Sequence, residues 1–170
     1  MPAPRRRRAQ CRARRRLRPS FTGLGAPYWD PDARGAVLGL TRGSGRAALV
    51  TATLQSVALQ TWDLVGAMRD DGIAPAEIRV DGGMVANDWF LQFLADVTRS
   101  QIERPQQPES TVLGAAALAG LQAGLFESLD ALSDAWQRDA AFTPELSAAD
   151  ADSLTANWRD AVARVRSGQA

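Results

Sequence analysis

The stretch EIRVDGGMVANDWFLQFLADVT, Glu77 to Thr98, decides how the chain is read. Glu77 to Val80 is a short strand, and Phe90, Phe93, Leu94 and Val97 recur at helical spacing after Asn87. Asp81, Gly82 and Gly83 form the corner between them. One glycine usually serves such a corner. A second is either part of a plain tight turn or a place where a ligand touches backbone, because glycine takes positive φ and carries no Cβ. Asn87 also has two readings: a helix N-cap, or a donor and acceptor for the edge of a base. In open α/β sheets ligands lie beyond the carboxyl ends of strands, often at helix N-termini. The corner occupies such a position.

Upstream, Ala47 to Met68 has a helical period, with Val50, Leu54, Val57, Ala58, Thr61, Leu64, Val65 and Met68 on the expected inner face. Ser44 is the expected N-cap, and Asp70-Asp71-Gly72 the stop. Before it, Phe21 to Gly45 holds six glycines and two prolines and predicts an ordered loop, with Ala36 to Leu40 as a short strand. Downstream, Ser100 to Arg104 is a minimal strand closed by Pro105 and Pro108. Thr111 to Leu125 reads as a helix, small and apolar on almost every face, with Gly114, Gly120 and Gly124 inside it. Each costs about 1 kcal/mol of propensity against alanine, which fits close packing of backbone or a nearby ligand. Leu129 to Trp136 and Ser147 to Val165 complete the order as two amphipathic helices. Strands alternating with helices predict an α/β layer, but so few strands suggest part of a larger sheet.

The chain has 170 residues, 45% apolar and 23% charged, which are globular values. Its net charge of +1 is unevenly placed. Nine of twenty basic residues lie in Met1 to Ser20, which has no acid; the remainder sets eleven arginines against nineteen acids. That acidic body offers no basic surface for nucleic acid. With no lysine or histidine, histidine bases, histidine metal ligands and a phosphate-binding lysine are excluded within this chain. Cys11 alone makes neither a disulfide nor a cysteine zinc site. No apolar run reaches membrane-spanning length and no secretion signal is present, so no membrane partner and a cytoplasmic setting are expected. Met1 to Ser20 stays open as a disordered tail, a targeting peptide, a nucleic-acid-binding tail, or GC-rich DNA translated in the wrong frame. It is set apart as a leader, with residues 21–170 as the domain.

Asp30, Asp32, Asp63, Asp81 and Asp96 are read as caps, turn formers or solvated charges, and no catalytic carboxylate pair or metal site is expected. Nothing matches a Walker loop or a Rossmann glycine fingerprint.

Three long motifs add a resemblance. FTGLGAPYWDPDARGAVLGLTRG, Phe21 to Gly43, resembles the signature loop of bacterial glycerol kinases, in the wider family of FGGY carbohydrate kinases. VDGGMVANDWFLQFLADV, Val80 to Val97, and ERPQQPESTVLGAAALAGLQAGLF, Glu103 to Phe126, follow in that family's order. The resemblance runs from Phe21 to Arg166. It implies an α/β fold: part of a ribonuclease H-like, actin-like ATPase domain, the C-terminal FGGY kinase domain, with extra C-terminal helices. It implies transfer of the γ-phosphoryl group of ATP, with Mg2+, to glycerol, giving sn-glycerol 3-phosphate, in an enzyme that forms homo-oligomers. The family's nucleotide contacts map onto Gly83 and Asn87; Gly82 and Gly114 are expected to shape the same wall. The family's catalytic aspartate, glycerol-binding residues and first phosphate loops belong before Phe21 and are not found there. This chain alone is therefore expected to be inactive. Ala48 and Asp88 also depart from the family, which tends to have a polar residue and a second asparagine there.

Overall fold

The computed structural model describes residues 16–18, 23–128, 130–131 and 136–167. Its centre is the stretch from Glu77 to Thr98. Strand β3 (Glu77–Arg79) runs into the corner, a single 3-10 turn spans Gly83–Ala86, and helix α2 (Asp88–Thr98) follows and returns to β4 (Gln101–Pro105). β3 and β4 are parallel, with Ile78 opposite Ile102, so this is one β-α-β crossover.

Asn87 caps α2: its side-chain oxygen accepts the Phe90 N–H at 3.2 Å, and Asp88 places a negative charge in the first turn. Every residue from Phe90 to Thr98 is buried, and Arg99 in the left-handed conformation ends the helix. Helix α1 (Arg46–Asp70) lies against α2, and α4 (Ala148–Ala163) packs on it too. The core joins these helices to the sheet through Leu59, Phe90, Leu91, Ile102 and Trp158. Burying side chains of this size contributes about 1.5–3 kcal/mol each.

The sheet has a third strand that the sequence reading missed. β5 (Arg138–Phe142) runs antiparallel to β4, giving the order β3-β4-β5. Its sequence, RDAAF, lacks the apolar alternation that marks a half-buried strand. Its charges serve the pairing instead. Arg138 donates to Glu103 at 2.7 Å, and Asp139 accepts from Arg104 at 2.7 Å.

Other expectations shift in detail. The expected inner face of α1 holds only in part: Ala58 and Val65 are buried, but Val50 and Leu64 are exposed, and Gln55, Ser56 and Asp63 are buried with Ala52 and Leu59. Polar side chains on the buried stripe hide that face from a hydrophobic count. Asp63, for example, accepts the Trp158 indole N–H at 2.7 Å. Gly45 rather than Ser44 is the N-cap of α1, because Ser44 Oγ accepts the Thr41 N–H in the preceding turn. In the glycine-rich loop, Leu24, Asp30 and Ala33 are buried and Tyr28 packs on the core, but Trp29 is 76% exposed.

β2 (Ala36–Leu38) pairs antiparallel with β1 (Arg16–Arg18), three residues of the stretch set apart as a leader. Helix α3 (Ser110–Gln122) forms where expected, with Gly120 its one buried residue. The helix expected over 129–136 lies mostly outside the described residues, and Trp136 is not helical. Among the described residues no helix is long and apolar enough to cross a membrane.

Candidate functional site

The Gly82-Gly83 corner is shaped by backbone. Gly82 has φ +85°, a conformation that side chains resist, and its N–H donates to the Pro108 carbonyl at 2.9 Å. Gly83 opens the 3-10 turn. A Cβ added at either glycine would meet nothing within 4 Å. Neither glycine is therefore required by close packing within the fold. Both leave open space above the carboxyl end of β3.

Gly83 and Asn87 line a cleft of about 600 Å³ together with Leu54, Met84, Ala86, Asp88 and Trp89. Asn87 is exposed, and its cap hydrogen bond uses the side-chain oxygen. The amide nitrogen remains as a donor beyond the cap. Gly82 and Gly114 stand outside this lining. Gly114 lies on α3, with open space where its Cβ would be. Two bonds tie α3 to the corner: Ser110 Oγ donates to Asp81, and Gly82 donates to Pro108 just before the helix. The four residues singled out by sequence are thus two cleft-lining residues, one corner hinge and one residue on the adjoining helix.

Leu54, Met84 and Trp89 were not singled out by sequence, and neither was Arg104. Arg104 Nη1 donates to the Val85 carbonyl at 3.0 Å and to Asp88 at 2.7 Å, while Nε donates to Asp139. Asp88, and then Asp139, holds the guanidinium further above its ordinary pKa. The position of Arg104 one residue before a strand-ending proline is a weak signal, and only the folded corner gives it meaning.

The remaining buried carboxylates have internal partners. Asp30 caps its own turn through the Asp32 and Ala33 N–H groups, and accepts the Ser167 N–H at 2.6 Å. These bonds, with that from the Ser167 hydroxyl the largest, hold its carboxyl below the usual range. Asp96 accepts the Glu145 and Leu146 N–H groups, which fastens the segment before α4. Among the described residues no cluster of three or more His, Cys, Asp or Glu could hold a metal ion.

Comparison with known proteins now decides the family. The model of the FGGY family of carbohydrate kinases, C-terminal domain, matches residues 8–123. This chain belongs to that family. Its match begins inside the arginine-rich stretch that the sequence reading set apart. The glycerol kinase of Alteromonas mediterranea is 57% identical over 150 residues, covering 88% of this chain and 30% of the relative. Glycerol kinase 1 of Pseudomonas aeruginosa is 52% identical over 151 residues, 89% of this chain and 31% of the relative. The crystal structure of Plasmodium falciparum glycerol kinase with ADP superposes with a TM-score of 0.78 at 33% identity, over 97% of this chain and 34% of that one. A xylulose kinase from Lactobacillus acidophilus gives 0.70 at 25%, over 88% and 31%. The chain therefore spans about 30% of the length of the curated relatives it matches.

Proposed function

We propose that this chain supplies part of the nucleotide-side domain of an ATP-dependent glycerol kinase. The complete enzyme would move the γ-phosphoryl group of ATP to glycerol and release ADP and sn-glycerol 3-phosphate. One observation carries the reading. The corner leaves open space over two glycines beside an exposed asparagine, in a chain 57% identical over 150 residues to a glycerol kinase. Gly83 lets the nucleotide lie against backbone, and the Asn87 amide donates to an acceptor on it. Gly82 sets the direction of the turn, and Gly114 keeps the adjoining helix face low. ATP, accompanied by Mg2+, brings the phosphoryl group to be transferred. The general base and the glycerol contacts are assigned to no residue of this chain, so the chain alone is expected not to turn over.

Glycerol is favoured over a sugar because bacterial glycerol kinases stand at 50–57% identity, and among the superposed structures the Plasmodium falciparum glycerol kinase stands at 33% against 25% for the xylulose kinase from Lactobacillus acidophilus. The same reading sets the enzyme in the cytoplasm, as a homo-oligomer, with residues 21–170 as its C-terminal domain segment.

Two measurements test it. Titration of the 170-residue chain with MgADP, followed by amide NMR, should give saturable shifts at Gly83 and Asn87. Shifts confined to other regions, or none at millimolar nucleotide, reject the site. Replacing the matching segment of the Alteromonas mediterranea enzyme with residues 21–166 should preserve ATP-dependent phosphorylation of glycerol. A chimera that folds but does not phosphorylate glycerol rejects the reading of this segment as the nucleotide side of a glycerol kinase.

A further inference from the structure

The corner is held by a residue outside the cleft. The 3-10 turn over Gly83–Ala86 is only four residues long and is flanked by bonds from the Val85 N–H to the Gly82 carbonyl at 3.2 Å and from the Asn87 N–H to the Met84 carbonyl at 3.1 Å. So short a turn has poor hydrogen-bond geometry and keeps its shape only with outside support. Arg104 provides it from β4. One nitrogen of its guanidinium donates to the Val85 carbonyl, two residues before Asn87, and to the Asp88 carboxylate, one residue after it. The chain is thus gripped on both sides of Asn87.

The opposite side of the fork is anchored. Nε of Arg104 donates to Asp139 on β5 at 2.7 Å, and the guanidinium lies 5.7 Å from the centre of the Phe142 ring. The Arg104 side chain is 19% exposed while Asp88 and Asp139 are 72% and 47% exposed, so the bond to the Val85 carbonyl is the sheltered one of the three. Only a planar guanidinium has donors in a fork that serves a carbonyl and two carboxylates at once. Arg104 itself is not among the residues lining the cleft.

We propose that Arg104 is a positioning residue for nucleotide binding, acting through Val85 and Asp88 to hold Gly83 and Asn87 in the arrangement the ligand meets. Asp88 is the site-side half of this device and Asp139 its anchor. The inference rests on the nucleotide reading above and adds residues to it.

Four variants of the full 170-residue chain separate this role from general support of the fold: Arg104→Lys, Asp88→Ala, Asp88→Asn and Asp139→Asn. Each is titrated with MgADP by amide NMR and melted by circular dichroism. Arg104→Lys and Asp88→Ala should weaken the MgADP midpoint about tenfold, the size of one lost charge-assisted hydrogen bond. Both should broaden the amide signals of Met84 to Asn87 before any nucleotide is added. Asp88→Asn keeps an acceptor and should recover most of the affinity. Asp139→Asn keeps an acceptor for Nε and should weaken the midpoint less than Asp88→Ala does, with a small fall in melting temperature. The proposal is overturned if wild type binds and Asp88→Ala binds equally well. It is also overturned if the midpoints of all four variants merely follow their melting temperatures. Absence of any wild-type response at Gly83 and Asn87 overturns the nucleotide reading, and this inference with it.

Discussion

At the residue scale, the glycines of this chain separate backbone demands from spatial ones. Gly23 has φ +91°, and a Cβ there would stand 2.6 Å from Pro31 Cα, so Gly23→Ala must shift backbone. Gly82 has positive φ with open space, so Gly82→Ala should cost only the backbone term, about 1–2 kcal/mol. Gly83 has neither constraint. Gly83→Val should therefore keep stability within about 0.5 kcal/mol while abolishing the MgADP response, measured by melting and NMR on one sample. A loss of stability matching that of Gly82→Ala would return Gly83 to the role of a turn residue. Glu103 illustrates a charge that folding uses. The hydrogen bond from Arg138 comes first, with Gln101 and Arg79 assisting, and against the opposing effect of burial they hold its pKa below the usual 4.5. A depressed carboxylate pKa stabilises the fold fully above the unfolded value, and that stability drains away as pH falls through the folded one. Melting temperature should thus decline on acidification below about pH 4.5, and Glu103→Gln should flatten that decline.

At the element scale, α2 binds the fold and the site into one object. Its cap, Asn87, is also a cleft residue, so a single substitution confounds the two roles. Asn87→Ala should cost about 1 kcal/mol of stability as well as nucleotide contact. Asn87→Ser keeps a capping oxygen and removes the amide, so it should melt near wild type yet bind MgADP weakly. Equal binding by Asn87→Ser would leave Asn87 as a cap alone. α2 was legible in the sequence because its period, its cap and its flanking strands agree. α1 was legible in extent but only in part in its inner face, because Gln55, Ser56 and Asp63 occupy buried positions that a hydrophobic pattern assigns to solvent. β5 was invisible for a related reason. Its pairing is marked by Arg138–Glu103 and Arg104–Asp139, contacts 35 residues apart that no local window contains. The site followed the same rule: the glycines and asparagine announce themselves locally, whereas Arg104 matters only once β4 lies under the turn.

At the scale of the whole molecule, the family's match ends at residue 123, yet the core does not. β5 adds a third strand beside β4, and α4 contributes Trp158, 1% exposed, and Val162 to the same cluster as α2. The Trp158 indole donates to buried Asp63, 95 residues away, and so links the last helix to the first. Asp96 of α2 receives two N–H groups from the segment that leads into α4. These bonds make the terminal helix part of the cooperative unit and not an appendage. Trp158→Phe keeps most of the ring volume while removing the donor that faces the Asp63 carboxylate. It should cost about 1 kcal/mol, the size of one lost hydrogen bond. Substituting Asp63 as well, in Asp63→Leu with Trp158→Phe, removes both halves of that bond, and its cost should fall short of the sum of the two single changes. Helix content and near-ultraviolet signals should then melt together in both variants. A wild-type melt in two steps, with Trp158→Phe moving only one of them, would show instead that α4 folds apart from the cleft-bearing core.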